Sequence, residues 1–233
     1  MNDRAQVRVA ARIPGAAALG LLAPPSASWV PGAALADPAW TVELLRARGP
    51  HMGPGDRRVL ATVWWYSASS VLLTPPLAGL VTGLPLSARL ADTAVGMAGV
   101  HPVAAVSVVA GADTAAELRA SIAAVVAAVA EAGGMRERPL WAIATDSLAN
   151  RLLELGRAVG DVAAATALAE PLAAAIGSPL PAPRYVDVAG ARFTRRASCC
   201  LLYRLPSGSL CTSCPRRPPA ERRALLEDAA ARF

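Results

Sequence analysis

Cysteine is missing from this 233-residue sequence until position 199, and lysine is missing altogether: all 23 basic residues are arginine. The missing lysine reads as the codon bias of a GC-rich genome and carries no mechanism. Aromatic residues make up only 4% of the chain, whereas 54% of it is hydrophobic. The core must then be built from Ala, Val and Leu, a composition that favours closely packed helices. Histidine occurs twice, as His51 and His101. Neither has a second histidine or a carboxylate cluster nearby, which argues against a histidine-based catalytic site. No Ser-His-Asp arrangement, phosphate loop or Rossmann glycine pattern is present.

A segment able to span a membrane is missing too. Arg4, Arg8 and Arg12 followed by I-P-G-A-A-A-L-G-L-L-A faintly resemble an export signal. Pro14 and Gly15 interrupt the apolar region and no small-x-small cleavage site follows, so export is not expected. Residues 59–88 carry no charge but contain Pro75, Pro76, Pro85, Gly79 and Gly83. That is a poor spanning helix; a buried helix and turn is expected, with peripheral membrane contact left open.

What is present is concentrated near the C-terminus. Residues 184–233 hold ten arginines and four acids, the whole of the net charge of +6. An anionic partner would be drawn there, although a solvated basic tail has the same composition.

The pattern along the chain predicts a mainly α (α+β) fold: a helical domain, short antiparallel hairpins and a C-terminal cysteine-rich segment. Residues 1–36 read as a loose extension, 37–183 as the helical domain, and 184–233 as the cysteine segment with a basic tail helix. Asp37 and Pro38 start a first helix that stops at Gly49-Pro50. Asp56 caps a second, which Thr74-Pro75-Pro76 breaks. Two short strands are expected between 88 and 110. Thr114 and Glu117 form a capping box for a helix carrying Leu118, Ile122, Val125, Val126 and Val129, ended by Gly133-Gly134. A helix after Pro139 presents Leu140, Ile143, Leu148, Leu152 and Leu155. Another begins near Asp161 and is kinked or broken at Pro171. Y-V-D-V-A-G-A-R-F-T-R reads as a hairpin turning at Ala-Gly, and 219–232 as a short helix.

The four cysteines, Cys199, Cys200, Cys211 and Cys214, form a C-C-x10-C-x2-C pattern. The Cys211/Cys214 spacing lets two sulfurs converge on one metal, as zinc sites, iron–sulfur sites and redox dithiols all do. No strand precedes Cys211 in a βαβ context, which discounts the redox dithiol. Neighbouring residues on a strand point to opposite faces, so joint ligation by Cys199 and Cys200 needs a bend, or a cluster gripped from two directions. Pro206, Ser207 and Gly208 supply a turn that returns Cys211 and Cys214 to the pair. Four thiolates so gathered suit either tetrahedral zinc or a [2Fe–2S] cluster.

R-R-A-S-C-C-L-L-Y-R-L-P-S-G-S-L-C-T-S-C-P, residues 195–215, resembles the FhuF-type family of siderophore-iron reductases. R-V-L-A-T-V-W-W-Y-S-A-S-S-V-L-L-T-P-P-L and L-W-A-I-A-T-D-S-L-A-N-R-L resemble that family more loosely. The resemblance implies that Cys199, Cys200, Cys211 and Cys214 bind a [2Fe–2S] cluster. It also implies a cytoplasmic enzyme, a ferric siderophore reductase that moves one electron to chelated Fe(III) and releases Fe(II). Softer Fe(II) is held less tightly than Fe(III) by the oxygen ligands of a siderophore.

The expected partners are a ferric siderophore, of the hydroxamate type, and a separate protein electron donor, since no nicotinamide or flavin motif is present; no nucleic acid is expected. Arg195, Arg196 and Arg204 would stabilise the reduced cluster or attract an anionic chelate or acidic donor. Trp64 and Trp65 are candidates for a pocket wall, although aromatics on an uncharged helix are more often core. A zinc-stabilised binding or scaffold protein, and a [2Fe–2S] electron-transfer protein with another acceptor, are the alternative readings.

Overall fold

The uncharged stretch after Asp56 forms one helix at the centre of the molecule. A computed structural model describes residues 4–52 and 56–232. Along it run α1 (Arg4–Ala10), β1 (Ser28–Pro31), α2 (Pro38–Met52) and the central α3 (Arg57–Thr82). Then follow β2 (Thr93–Ala98), β3 (His101–Ser107), α4 (Thr114–Gly133) and α5 (Arg138–Val159). The chain closes with α6 (Val162–Ala167), α7 (Ala169–Ile176), β4 (Tyr185–Val188), β5 (Ala191–Thr194) and α8 (Pro219–Ala230).

Helix α3 packs on α5, α4 and β3. Its start is capped by Asp56, whose side chain accepts the Arg58 N–H at 3.0 Å, and Gly83 ends it in the left-handed region at φ 69°. It runs through Pro75 and Pro76, where a break was expected. Each internal proline costs a helix about 3 kcal/mol. Here Leu72, Leu73, Leu77 and the prolines themselves are buried, and burying one leucine returns roughly 1.5–3 kcal/mol. Tertiary burial therefore outweighs local propensity. The first helix likewise continues past Gly49-Pro50 to Met52.

The apolar faces predicted for α4 and α5 are all buried. The cap of α4 is not the predicted Thr114 box: Asp113 accepts the Ala116 N–H at 3.0 Å. The Glu117 carboxylate instead takes the Ala88 N–H at 2.9 Å and pairs with Arg89. Asp161 caps α6, and the chain breaks at Leu168, before Pro171.

The strands expected between 88 and 110 are β2 and β3, antiparallel, and β1 adds to β2 to complete a three-stranded sheet. Alanine is a poor strand former. Ala104 and Ala105 nevertheless sit fully buried in β3, where small side chains let α3 approach the sheet.

The described part of residues 1–36 is not a loose extension. Val9, Ile13, Leu21 and Leu35 are buried in the core. The buried Gln6 amide donates to the Leu21 and Ala105 carbonyls, both at 2.8 Å, and its oxygen accepts the Ser107 N–H at 2.7 Å. No helix among the described residues is long and apolar enough to cross a membrane.

Candidate metal centre

The cysteine segment is delivered by the predicted hairpin. Ala189 and Gly190 turn it with φ of 48° and 81°, the two left-handed residues that a tight hairpin turn with the right twist requires. Beyond β5 the Arg195 N–H donates to the Arg184 carbonyl at 2.8 Å, and the chain crosses to α5.

There Asp146 holds it. The buried carboxylate accepts the Ala197 N–H at 2.7 Å, the Ser198 N–H at 2.9 Å and the Ser198 hydroxyl at 2.6 Å. It also pairs with Arg196 at 3.4 Å, both side chains being more than nine-tenths buried. Charge-assisted bonds of this kind are the stronger class, and four on one carboxylate set the position of the residues just before Cys199. Nothing in the sequence singled out Asp146 as functional. The available signal was a lone acid among residues 140–149, an otherwise uncharged and buried run of α5.

The bend required at Cys199-Cys200 is found one residue on. Leu201 adopts φ 60°, a left-handed conformation that costs a non-glycine residue roughly 1–2 kcal/mol. In return its N–H donates to the Cys199 sulfur. A 3-10 turn (Leu202–Arg204) and the buried Leu205 follow. The turn at Pro206 to Gly208 then brings the chain back, the Gly208 N–H donating to the Leu205 carbonyl at 2.9 Å. Gly208 is obligatory here, because a Cβ would overlap the Leu202 carbonyl. Downstream, Arg217 donates to the Cys211 carbonyl at 3.0 Å and the Leu210 carbonyl at 2.6 Å. Arg222 reaches the Cys214 carbonyl at 3.4 Å. Part of the basic tail thus satisfies backbone carbonyls of the cysteine loop.

All four thiols are free; Cys200 and Cys214 are buried, Cys199 and Cys211 half-buried. Cys199 lies close to both Cys214 and Cys200, and Cys211 close to both Cys200 and Cys214. Cys200 and Cys211 share Arg196, whose Nη1 lies 3.9 Å from the first sulfur and 3.4 Å from the second. Burial pushes the Cys199 and Cys211 thiols up; Arg196 pulls Cys211 back down, and the neighbouring thiols push both further up. Among the described residues, no three His, Cys, Asp or Glu side chains are drawn up around a single metal ion.

Arg196 is the hub. Its guanidinium lies 5.0 Å from the centre of the Tyr66 ring, on α3. Burial alone would lower its pKa, but the combined pull of Tyr66, Asp146, Cys200 and Cys211 holds it above its ordinary value. Burial also pushes Tyr66 up, against the pull of Arg196. The Nη2 of Arg196 is buried without a hydrogen-bond partner.

Of the other predicted residues, Arg195 is exposed and, with Pro181, Arg184 and Arg196, lines a cavity of about 330 Å³. Arg204 is exposed. Trp64 and Trp65 form no pocket wall: they are 1% and 0% exposed. Trp65 Nε1 donates to the Leu140 carbonyl at 2.8 Å, and Trp64 meets Trp40 edge to face. Their neighbour Tyr66 is the residue of that aromatic run that reaches the centre.

The donor set fits an iron–sulfur cluster. A [2Fe–2S] cluster would take four thiolates, which Cys199, Cys200, Cys211 and Cys214 would supply, and the orphaned Arg196 Nη2 would supply a donor for an anionic group. A tetrahedral zinc ion would need four ligands about one point. Residues 196–216 match the model of the FhuF 2Fe-2S C-terminal domain. No curated protein and no solved structure matches the chain. The four-cysteine donor set agrees with the family match: residues 196–216 are similar to a FhuF-type 2Fe-2S C-terminal domain, whose cofactor is a [2Fe–2S] cluster.

Proposed function

We propose that the protein is a cytoplasmic ferric siderophore reductase, with Cys199, Cys200, Cys211 and Cys214 as the cluster ligands. A bound [2Fe–2S] cluster supplies one-electron transfer. The electron converts chelated Fe(III) to Fe(II), and the weakened oxygen ligation lets the metal leave with the chelator intact.

The observation that carries this reading is the half-burial of Cys199 and Cys211, together with Arg196, which lies 3.4 Å from the Cys211 sulfur and lines the arginine-bearing cavity. Two half-buried ligands would put the centre within reach of an outside acceptor. Cys200 and Cys214 are buried, as is the Arg196 side chain beside Cys200, and would keep the inner side of the centre dry. Arg195 and Arg184 would draw an anionic chelate or an acidic donor protein to this face, and Arg204 adds to the field. Arg196, which also lines this cavity, donates toward the Cys200 and Cys211 sulfurs.

The test is direct. Holoprotein reduced anaerobically should be reoxidised on mixing with ferric hydroxamates, followed by return of the visible absorption, with one Fe(II) per cluster appearing on a ferrous-specific chelator. A reduced cluster that stays bleached with hydroxamate and catecholate chelates alike would reject the reductase and favour another acceptor.

A further inference from the structure

The two thiol pairs differ, and Arg196 makes the difference. Its guanidinium donates toward Cys200 and Cys211, at 3.9 and 3.4 Å, and among the described residues it makes no such contact with Cys199 or Cys214. We propose that Cys200 and Cys211 hold one iron of the cluster and Cys199 and Cys214 the other, and that the iron of the Cys200–Cys211 pair takes the electron. This rests on the four-cysteine ligation proposed above and deepens it.

A bound cluster would take one electron from a one-electron reductant, dithionite in the test below, one Fe(III) becoming Fe(II) with no bond broken and no proton moved. Arg196, a full positive charge in a water-poor setting where such interactions are least screened, would favour the added negative charge on the Cys200–Cys211 side. The competing group is the Leu201 N–H at Cys199. That is a neutral dipole, and hydrogen bonds from an ionised donor are roughly twice as strong as those from a neutral one. The Cys200–Cys211 side therefore wins.

Two further residues keep the guanidinium aimed. Asp146 takes its Nε at 3.4 Å and the Tyr66 ring lies against it at 5.0 Å. Asp146 and Tyr66 are positioning residues: they act through Arg196, leaving Nη1 to the sulfurs.

Single serine replacements of the four cysteines, loaded with ⁵⁷Fe and reduced by dithionite, should sort into two classes by EPR and Mössbauer spectroscopy. C200S and C211S should both alter the ferrous site and move the g-values; C199S and C214S should both alter the ferric site. Sorting of Cys199 with Cys200, or a ferrous site that responds to C199S and C214S, would overturn the proposal. A replacement that leaves the spectra of both oxidation states untouched would overturn the four-cysteine ligation itself.

Should serine variants fail to load, the unsubstituted reduced protein decides. The hyperfine-shifted β-protons of Cys200 and Cys211, assigned by through-space contacts, should share the temperature dependence of a ferrous site. With all cysteines intact, R196Q should make the potential more negative and R196K should restore most of it. An unchanged potential in R196Q removes the role given to Arg196.

Discussion

Asp146 and Ser198 stand 52 residues apart in sequence, yet the carboxylate of the first accepts both the N–H and the hydroxyl of the second, at 2.9 and 2.6 Å. Through this contact helix α5 fixes where the cysteine segment begins. Cys199 is the next residue, so an error in the clamp is transmitted to the sulfurs with little slack.

Removing the clamp should be costly. D146A leaves Arg196 buried without its counter-charge, and breaking a buried pair from one side costs about 3–5 kcal/mol. Urea unfolding of the D146A protein should show a loss of that order, with S198A losing about 1 kcal/mol for its single hydroxyl. Equal stability of D146A and the parent would show that the pair contributes nothing.

The bend at Leu201 gives a second expectation. L201P forbids φ 60° and deletes the N–H given to Cys199. Iron and sulfide per protein should fall to near zero. L201G accepts the same φ and keeps the N–H, so it should load normally.

Gly208 gives a third. In G208A the new methyl meets the Leu202 carbonyl, a backbone atom that cannot rotate away. The turn must open and carry Cys211 and Cys214 from the other pair. Cluster content should drop sharply while helical circular dichroism, dominated by α3, α4 and α5, stays as it was.

The N-terminal segment gives a fourth. Q6A removes three buried hydrogen bonds to Leu21, Ala105 and Ser107. With roughly 1 kcal/mol for each, a loss of about 2–3 kcal/mol is expected. Hydrogen exchange at the Ser107 amide should speed up with it. An unprotected Ser107 amide in the parent protein would return residues 4–36 to the status of an extension.

Much of the fold was legible because it is written in local chemistry. The apolar faces of α4 and α5, the Asp56 and Asp161 caps and the Ala189-Gly190 turn depend on residues a few positions apart. The misreadings share one physical cause. Pro75-Pro76 and the alanine-rich strand β3 were judged by intrinsic propensity, which burial against a neighbouring element overrides. Residues 4–36 lack periodicity, and their anchor is a single glutamine bonding to carbonyls and an amide far along the chain. Trp64 and Trp65 were ambiguous on an uncharged helix; packing against α2 and α5 settles them as core.

By itself the sequence determined the four cysteines, their spacing, the turn that returns the second pair to the first, and the positive charge around them. Those follow from residue identity and short chain lengths. Tertiary structure alone decided that Arg196 reaches Cys200 and Cys211 while Arg195 is exposed, and that Asp146 and Tyr66 from two other helices hold it there. A buried guanidinium needs a counter-charge and a surface to lie on. Here both come from α5 and α3, which only the packed core brings to the cysteines.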